Sequence, residues 1–410
     1  MSNRTSHTIR LQDGTLCNLR KRVTKQAVPL INFLGAIPDT RRAQGRRHSL
    51  VLILLIVFVA LLRNSKDLKD ACLFAQVNRK LFKRMGLPLV HGAPDPTTVS
   101  RVLRALDPEA LVSAFMGFMH AIGTSLGDTL SFDGKTMRAV TGETAVRHIL
   151  SLFTHETHLA VGQIGVDGKE NEIPAFERLL VQGTAHGTTR GKLLLGDALH
   201  TQRATVKAVL AVGADYLFVV KGNQKGLRRA IQTKLAEVQE PNSTSPKPNS
   251  YACETTDRKR SVTTTVTVMT APAGNNELAL PTGTQHWAGV RTAGILHRTG
   301  TRISKDGKVT PVDETIGVIC SRLMSAEEVA GYLRKHWCIE NNLHWVKDEV
   351  FGEDKHTLRR GNAPQVMSFL RSMVISLCNA LKLKSISDTI HNLEKSTPLL
   401  GQFMRMAAVI

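Results

Sequence analysis

KLLLGDALHTQRATVKAVLAVGADYLFVVKGNQ, residues 192–224, reads as strand, helix, strand and turn in one unbroken run. Lys192 to Leu195 is a short apolar strand that ends on Gly196-Asp197. Thr201 to Val212 carries its apolar residues at helical spacing, and Tyr216 to Val220 is a second strand, closed by the turn Lys221-Gly222-Asn223-Gln224. Two strands joined through a helix pair in parallel, so the segment predicts an α/β sheet.

The same grammar extends upstream. Leu130 to Asp133 is a short strand ending on Asp-Gly, His148 to Val166 reads as two strands around a Thr154–Thr157 turn, and Asn171 to Val181 is an amphipathic helix. Before residue 125 the chain reads as helical. Asp67–Phe74 and Asn78–Met85 are short helices, and Asp95-Pro96 and Asp107-Pro108 each place an N-cap acid before a first-turn proline. The helix from Asp95 to Arg104 fits a DNA-recognition helix and equally a helix with a solvated polar face. Leu50 to Leu62 (LVLILLIVFVALL) is apolar throughout. A bilayer span needs about 20 such residues, so this run predicts a buried helix and no membrane partner.

Downstream, Glu240 to Ser250 is an exposed Pro/Ser/Asn-rich loop, and Ser261–Met269, Trp287–His297 and Thr315–Cys320 are strand-like. Helices follow from about Ser325 to Val350 and from Pro364 to Leu383. The expected organisation is a helical region at 1–125, an α/β core at 126–240, a β-rich insertion at 241–322, and a second core segment at 323–410.

Composition narrows the partner without naming a chemistry. The 410 residues carry 54 Lys and Arg against 34 Asp and Glu, a net charge of +20, which attracts polyanions and above all nucleic acid. The six cysteines hold no C-x-x-C pair, which argues against a zinc ribbon or a disulfide framework and fits a reducing cytoplasm. The first thirty residues are polar and basic, with no apolar signal segment.

Three carboxylates stand where phosphodiester chemistry would need them. Hard divalent cations take oxygen ligands, and a two-metal site activates the attacking oxygen while stabilising the leaving one. Asp133 and Asp197 end neighbouring strands, where open α/β sheets gather their ligands, and each precedes a small residue. On a regular helix Glu340, His344 and Lys347 fall on one stripe with His336, beside an apolar stripe of Ile339, Leu343, Val346 and Val350. Taken singly, Asp133 before glycine also reads as a turn residue, and Glu340 with Lys347 as a solvated helix face. Trp337 and Trp345 read as packing residues in preference to base-stacking ones.

The motifs FDGKTMR (132–138), NEIPAF (171–176), GDALHTQ (196–202), DYLFVVKGNQ (215–224) and HWCIENNLHWVKDEVFGED (336–354) resemble the DDE transposases of bacterial insertion sequences. More narrowly they are similar to the group that includes the H-repeat-associated proteins. IPDTRRAQGRRHSL (37–50) and TTVSRVLRALDP (97–108) resemble that group's helical associated domain, and RRGNAP (359–364) also fits. The resemblance implies an RNase H-like mixed-sheet core with a β-rich insertion, and a triad of Asp133, Asp197 and Glu340 at intervals of 64 residues (133 to 197) and 143 residues (197 to 340). It implies two Mg²⁺ ions, replaceable by Mn²⁺, and cleavage of double-stranded DNA at inverted-repeat ends followed by strand transfer into target DNA. A homodimer on DNA and a nucleoid location follow by the same analogy.

The wider superfamily carries a Tyr, Arg, Glu, Lys signature on its catalytic helix. Glu340 and Lys347 fit its seven-residue step and Tyr332 lies nearby, but Lys335 occupies the arginine position and the step to Glu340 is one residue longer. Phosphate contacts are expected from Tyr332, Arg334, His336, His344 and Lys347, from Lys221 and Asn223, and from the basic pairs Arg46, Arg47 and Arg359, Arg360. Further basic clusters are Arg41 and Arg42, Lys225 with Arg228 and Arg229, and Arg258, Lys259 and Arg260. A nuclease that cuts without joining, and an inactive DNA-binding remnant, remain alternatives at this stage.

Overall fold

The computed structural model describes residues 28–65, 67–137, 146, 148–166, 172–241, 246–257, 260–282, 286–304, 306–336 and 338–409. In chain order come helices α1 (Leu30–Gly35), α2 (Leu50–Leu62), α3 (Leu68–Val77), α4 (Arg79–Arg84), α5 (Pro96–Ala105) and α6 (Pro108–Ala121). Strands β1 (Thr129–Thr136), β2 (His148–Thr154) and β3 (Ala160–Val166) lead to α7 (Glu172–Ala185), β4 (Leu193–Gly196), α8 (Arg203–Ala211), β5 (Asp215–Val220) and α9 (Lys225–Gln239). Then follow β6 (Asn249–Asp257), β7 (Arg260–Thr270), β8 (Thr292–Ile303), β9 (Val309–Cys320) and α10 (Ala326–His336). A π-helical turn (Glu340–His344) runs into α11 (Trp345–Glu349), and α12 (Ala363–Ala380), α13 (Ile386–Lys395) and α14 (Thr397–Met406) complete the chain.

The described residues group into two units. The first draws on 1–127, 134–171 and 339–410, the second on 128–133 and 172–338. Strand β1 starts in the second unit and passes into the first after Asp133.

In the first unit α2 is apolar on every side because it is buried on nearly every side. At 13 residues it spans about 20 Å, at 1.5 Å per residue. Lengthened by the short turn before it, Ala43–Leu62 is long and apolar enough to cross a bilayer, yet the α2 side chains are packed inside the protein, as the brevity of the apolar run leads one to expect. The helix starts are fixed by the expected caps. Asp67 accepts from Asp70 N at 2.8 Å, Asp95 from Thr97 N at 2.8 Å, and Asp107 from Glu109 N at 2.9 Å. Strands β2 and β3 pair as an antiparallel hairpin. Helix α12 lies against it, with Gln163 Nε2 donating to Gln365 O at 3.0 Å and Ala160 N to Ser376 Oγ at 3.0 Å.

In the second unit β1, β4 and β5 pair in parallel, and β9, β8, β7 and β6 extend the sheet beyond β5 as an antiparallel meander. The parallel half confirms the reading of residues 192–224. One face carries Leu193, Leu195, Leu217, Val219, Val266, Leu296 and Val318, covered by Val329, Ala330 and Leu333 of α10. The opposite face carries Phe132 and Phe218 beside Phe176 of α7. The β-rich stretch is larger than its sequence pattern suggests. Part of the expected 240–250 loop opens β6, and β8 and β9 run 12 residues each. Their outer halves are polar and exposed, so no core-facing alternation marks them.

Candidate functional site

The pairing of β1 with β4 places the first two carboxylates. Thr129, Leu130 and Ser131 lie opposite Leu193, Leu194 and Leu195. Carried on by two residues, that register brings Asp133 level with Asp197, whose backbone is still extended at φ −74°, ψ −179°. Adjacent strands lie about 4.8 Å apart and residues in parallel register share a face. Asp133 therefore does not end its strand, as the Asp-Gly pair suggests; β1 continues to Thr136. It is β4 that ends, and Asp197 caps the turn that follows, its Oδ1 accepting from Leu199 N at 3.0 Å and His200 N at 3.4 Å. Both aspartates are half-buried.

The surroundings keep that level fixed. Phe132 points to the other face, its ring 4.1 Å from that of Phe176 and 4.7 Å from that of His200. Gly196 stands opposite Phe132, and a Cβ there would come within 2.4 Å of the ring. His200, unremarked in the sequence reading, is buried, and its Nε2 lies 3.0 Å from Glu172. Below the Asp197 turn, Asn223 Nδ2 donates to Ala198 O at 2.6 Å, Gln224 Nε2 to Thr201 O at 3.0 Å, and Thr201 Oγ1 to Val219 O at 2.5 Å. The KGNQ turn thus braces the segment that carries Asp197.

Helix α10 lies on the aspartate face, since Leu195 packs with Leu333 there. It ends at His336, whose Nδ1 is 3.1 Å from Ser131 Oγ, on the same side of β1 as Asp133. Tyr332 is half-buried with the Lys335 ammonium 5.5 Å over its ring, and Arg334 is exposed. Lys221 is half-exposed and pairs with Glu314 at 3.2 Å. Burial works to raise the Glu314 carboxyl, but Lys221 and Arg298 together hold it below the ordinary range.

The remaining expected residues belong to the first unit. Glu340 opens the π turn, in which Trp345 N donates to Glu340 O, one residue further along than in an α-helix. The apolar stripe is where periodicity places it: Ile339, Leu343 and Val346 pack on Phe153, Ala160 and Ile375. Glu340 is 51% exposed, with His344 Nδ1 3.7 Å away. Two expectations need correction. Lys347 does not share the open stripe with Glu340. It is 1% exposed, and its Nζ donates to Ser368 Oγ at 3.0 Å and Gln163 Oε1 at 3.4 Å, so it does not face bound phosphate. The wide π turn advances less per residue, so positions beyond it rotate away from where regular 3.6-residue geometry puts them. Trp345, expected to pack, is 57% exposed. Trp337, Arg258 and Lys259 lie outside the described residues. Arg47, Arg359 and Arg360 are exposed, whereas Arg46 spends its guanidinium on Arg41 O and Asp39 O, both at 2.7 Å.

The family model for the transposase DDE domain matches residues 124–377, more than half of the chain. The chain belongs to the DDE transposase family. A model for the DDE-associated region matches residues 31–119, which hold α1 to most of α6. The chain is also similar to two proteins of Escherichia coli (strain K12), "Putative protein YbfL" and "H repeat-associated putative transposase YhhI". Each is 30% identical over 352 residues, which cover 85% of this chain and 89% of the relative. An uncharacterized protein in the dhlA 3′ region of Xanthobacter autotrophicus is 36% identical over 205 residues, 49% of this chain and 68% of that protein. The resemblance read from the motifs is thereby confirmed, down to the H-repeat-associated group.

Membership of the DDE family implies a divalent metal. The carboxylates of Asp133 and Asp197, both half-buried in the second unit, offer the oxygen donors that hard cations prefer.

Proposed function

We propose that this DDE transposase cleaves double-stranded DNA at the inverted-repeat ends of its element and joins the freed 3′-hydroxyl to target DNA, using Asp133, Asp197 and Glu340 as metal ligands. The observation that supports the reading most is the parallel β1–β4 pairing, whose register runs through Ser131 opposite Leu195, two residues before each aspartate. The bound Mg²⁺ ions, or Mn²⁺ in their place, would activate the attacking oxygen and stabilise the leaving one, and both steps are in-line displacements at phosphorus.

The chain's own residues do the rest. Asp197 presents its carboxylate from a turn clamped by Asn223 and Gln224, so the ligand is oriented before metal arrives. His336, at the end of α10, has a ring nitrogen that can donate to a phosphate oxygen, whereas His344 is buried with its Nδ1 toward Glu340 and does not face bound phosphate. Exposed cations at Lys221, Arg334, Arg47, Arg359 and Arg360, with Tyr332 and Arg46, supply phosphate contacts that position the duplex without reading its sequence. The helical region at 1–125 takes part in binding the element end. Two ends must be held together for transfer, so the active form is a dimer on DNA, at the nucleoid.

Strand transfer tests the reading. A labelled duplex with a free 3′-hydroxyl element end is incubated with supercoiled plasmid, the protein and Mg²⁺. Joined product is expected. Nicked duplex without any joined product would leave a nuclease in place of a transposase.

A further inference from the structure

Beneath the surface of the first unit lies a cluster of charge that the assignments above leave unused. The Glu353 side chain is fully buried. Lys135 Nζ lies 3.0 Å from its Oε2 and Arg371 Nη1 3.3 Å from its Oε1. Lys135 also bonds Asp348, and Lys347 is buried nearby, its Nζ held by Ser368 and Gln163 while its charge acts on Glu353. Burial pushes the Glu353 carboxyl up, but Lys347, Arg371 and Lys135 outweigh it and bring it down to about 2. His356 is pushed down to about 3 by burial and by Arg371, and so stands neutral beside them. Three cations and two carboxylates thus form one ionised knot.

Such a knot adds little stability over well-packed apolar side chains, because desolvating each ion costs as much as the pairing returns. What it does supply is fixed geometry, since ions without solvent have only each other. Its members sit at telling points in the chain. Lys135 is two residues beyond Asp133 on β1, on the same side of the strand. Lys347 and Asp348 lie about two turns beyond Glu340 on the same helical segment. Arg371 and Ser368 belong to α12 and Gln163 to β3, both deep in the core. Glu353, on the loop after α11, is the hub through which Lys135 and Arg371 meet, and Lys135 ties it on to Asp348.

We propose that Glu353 is a positioning residue for the metal site, holding the strand that carries Asp133 and the helical segment that carries Glu340 through its contacts with Arg371 and with Lys135, which also bonds Asp348. The inference rests on the ligand assignment of the preceding subsection. Glu353 itself touches neither metal nor DNA. Its effect is felt as metal affinity, in the way that outer groups orient first ligands elsewhere.

Binding of Mn²⁺ to the full chain without DNA, followed by the spin-resonance signal of the free ion, tests this apart from activity. Folding of every variant is checked by circular dichroism and by its melting curve. Glu353→Gln is expected to weaken Mn²⁺ binding by about 10- to 100-fold, the usual scale for an outer-shell loss, and Asp348→Asn by about 3-fold. Glu353→Asp, which keeps the charge, should recover part of the affinity. Cleavage by Glu353→Gln should return as Mn²⁺ is raised, a split that a merely structural role would not give. A folded Glu353→Gln that binds Mn²⁺ as the wild type does overturns the proposal. Where Glu353→Gln does not fold, Asp348→Asn decides, and unchanged affinity there overturns it equally. Glu340→Ala is the control for the ligand assignment: wild-type Mn²⁺ binding in that variant would bring down the assignment itself and the proposal with it. Loss in Glu340→Ala without loss in Glu353→Gln would remove the proposal alone.

Discussion

Glu340 and Glu353 lie thirteen residues apart in one unit, and their surroundings are opposite. Glu340 is 51% exposed on a π turn with a histidine 3.7 Å away. Glu353 is sealed from solvent and paired with Lys135 and Arg371. A carboxylate that must exchange water for metal has to stay open to solvent and free of a permanent countercharge. A carboxylate that ties elements together must be paired, because an unpaired buried charge would cost several kcal/mol. On the proposals above, the same residue type takes two roles, and exposure separates them.

Substitutions at the two glutamates should part accordingly. Glu340→Ala, like Asp133→Ala and Asp197→Ala, is expected to cut DNA cleavage on the order of 10³-fold or more while leaving the melting temperature and DNA binding nearly unchanged, since members of a catalytic unit fail together. Gel-shift, melting and Mg²⁺-dependent cleavage on the same preparations check this. Retained cleavage would erase the contrast. Glu353→Gln should differ in adding to its weaker metal binding a loss of about 3–5 kcal/mol in stability, from stranding its buried cations. Denaturant unfolding measures it, and a loss under about 1 kcal/mol would show that the knot is not what holds the segment.

Titration sharpens the contrast further. Glu353 sits at about 2 in the fold against an ordinary 4.5, so its contribution is full above pH 4.5 and is lost as pH falls toward 2. Lys347 has the reverse sign. Burial first, then Lys135 and Arg371, lower it to about 8 against 10.5, so its charged form opposes folding and stability from this group grows as pH rises from 8 to 10.5. Melting temperatures of wild type and Glu353→Gln across pH 2 to 5 should converge at the acid end. Parallel curves would contradict the assignment. The smallest effect belongs to the second unit: Gly196→Ala should cost about 1–3 kcal/mol, because its Cβ meets the Phe132 ring and overpacking must be relieved.

The sequence shows the parallel half of the second unit clearly, because Leu193–Leu195 and Tyr216–Val220 are apolar runs bounded by glycine, aspartate and a turn. The caps at Asp95 and Asp107 are equally visible, since capping is local chemistry. Polar strands are not. Asn249–Asp257 offers no buried face to alternate against, and it hides in a loop-like composition. The knot is invisible for a different reason. Glu353 stands in a short polar stretch, Gly-Glu-Asp-Lys, and its burial is decided by Lys135 and Arg371, which are distant in sequence. Lys347 lies on a different face of the helix from the one regular geometry gives it. Nothing in ENNLH announces a π turn, and a regular helix puts Lys347 beside Glu340 on the open face. The Asp133–Asp197 level was half legible: both residues stand out, but their common register needed the strand pairing.

Exchange of a ligand oxygen for sulfur bears most directly on the central claim. Thiolate is a poor ligand for Mg²⁺ and a workable one for softer transition ions such as Mn²⁺. Cleavage of an element-end duplex by Asp133→Cys and Asp197→Cys is therefore measured in Mg²⁺ alone and in Mn²⁺ alone. Both variants are expected to be silent in Mg²⁺ and to regain measurable cleavage in Mn²⁺, whereas the alanine variants stay silent in both. Wild-type rates for either cysteine variant in Mg²⁺ would contradict this expectation, and the two aspartates would then be no more than well-placed structural residues.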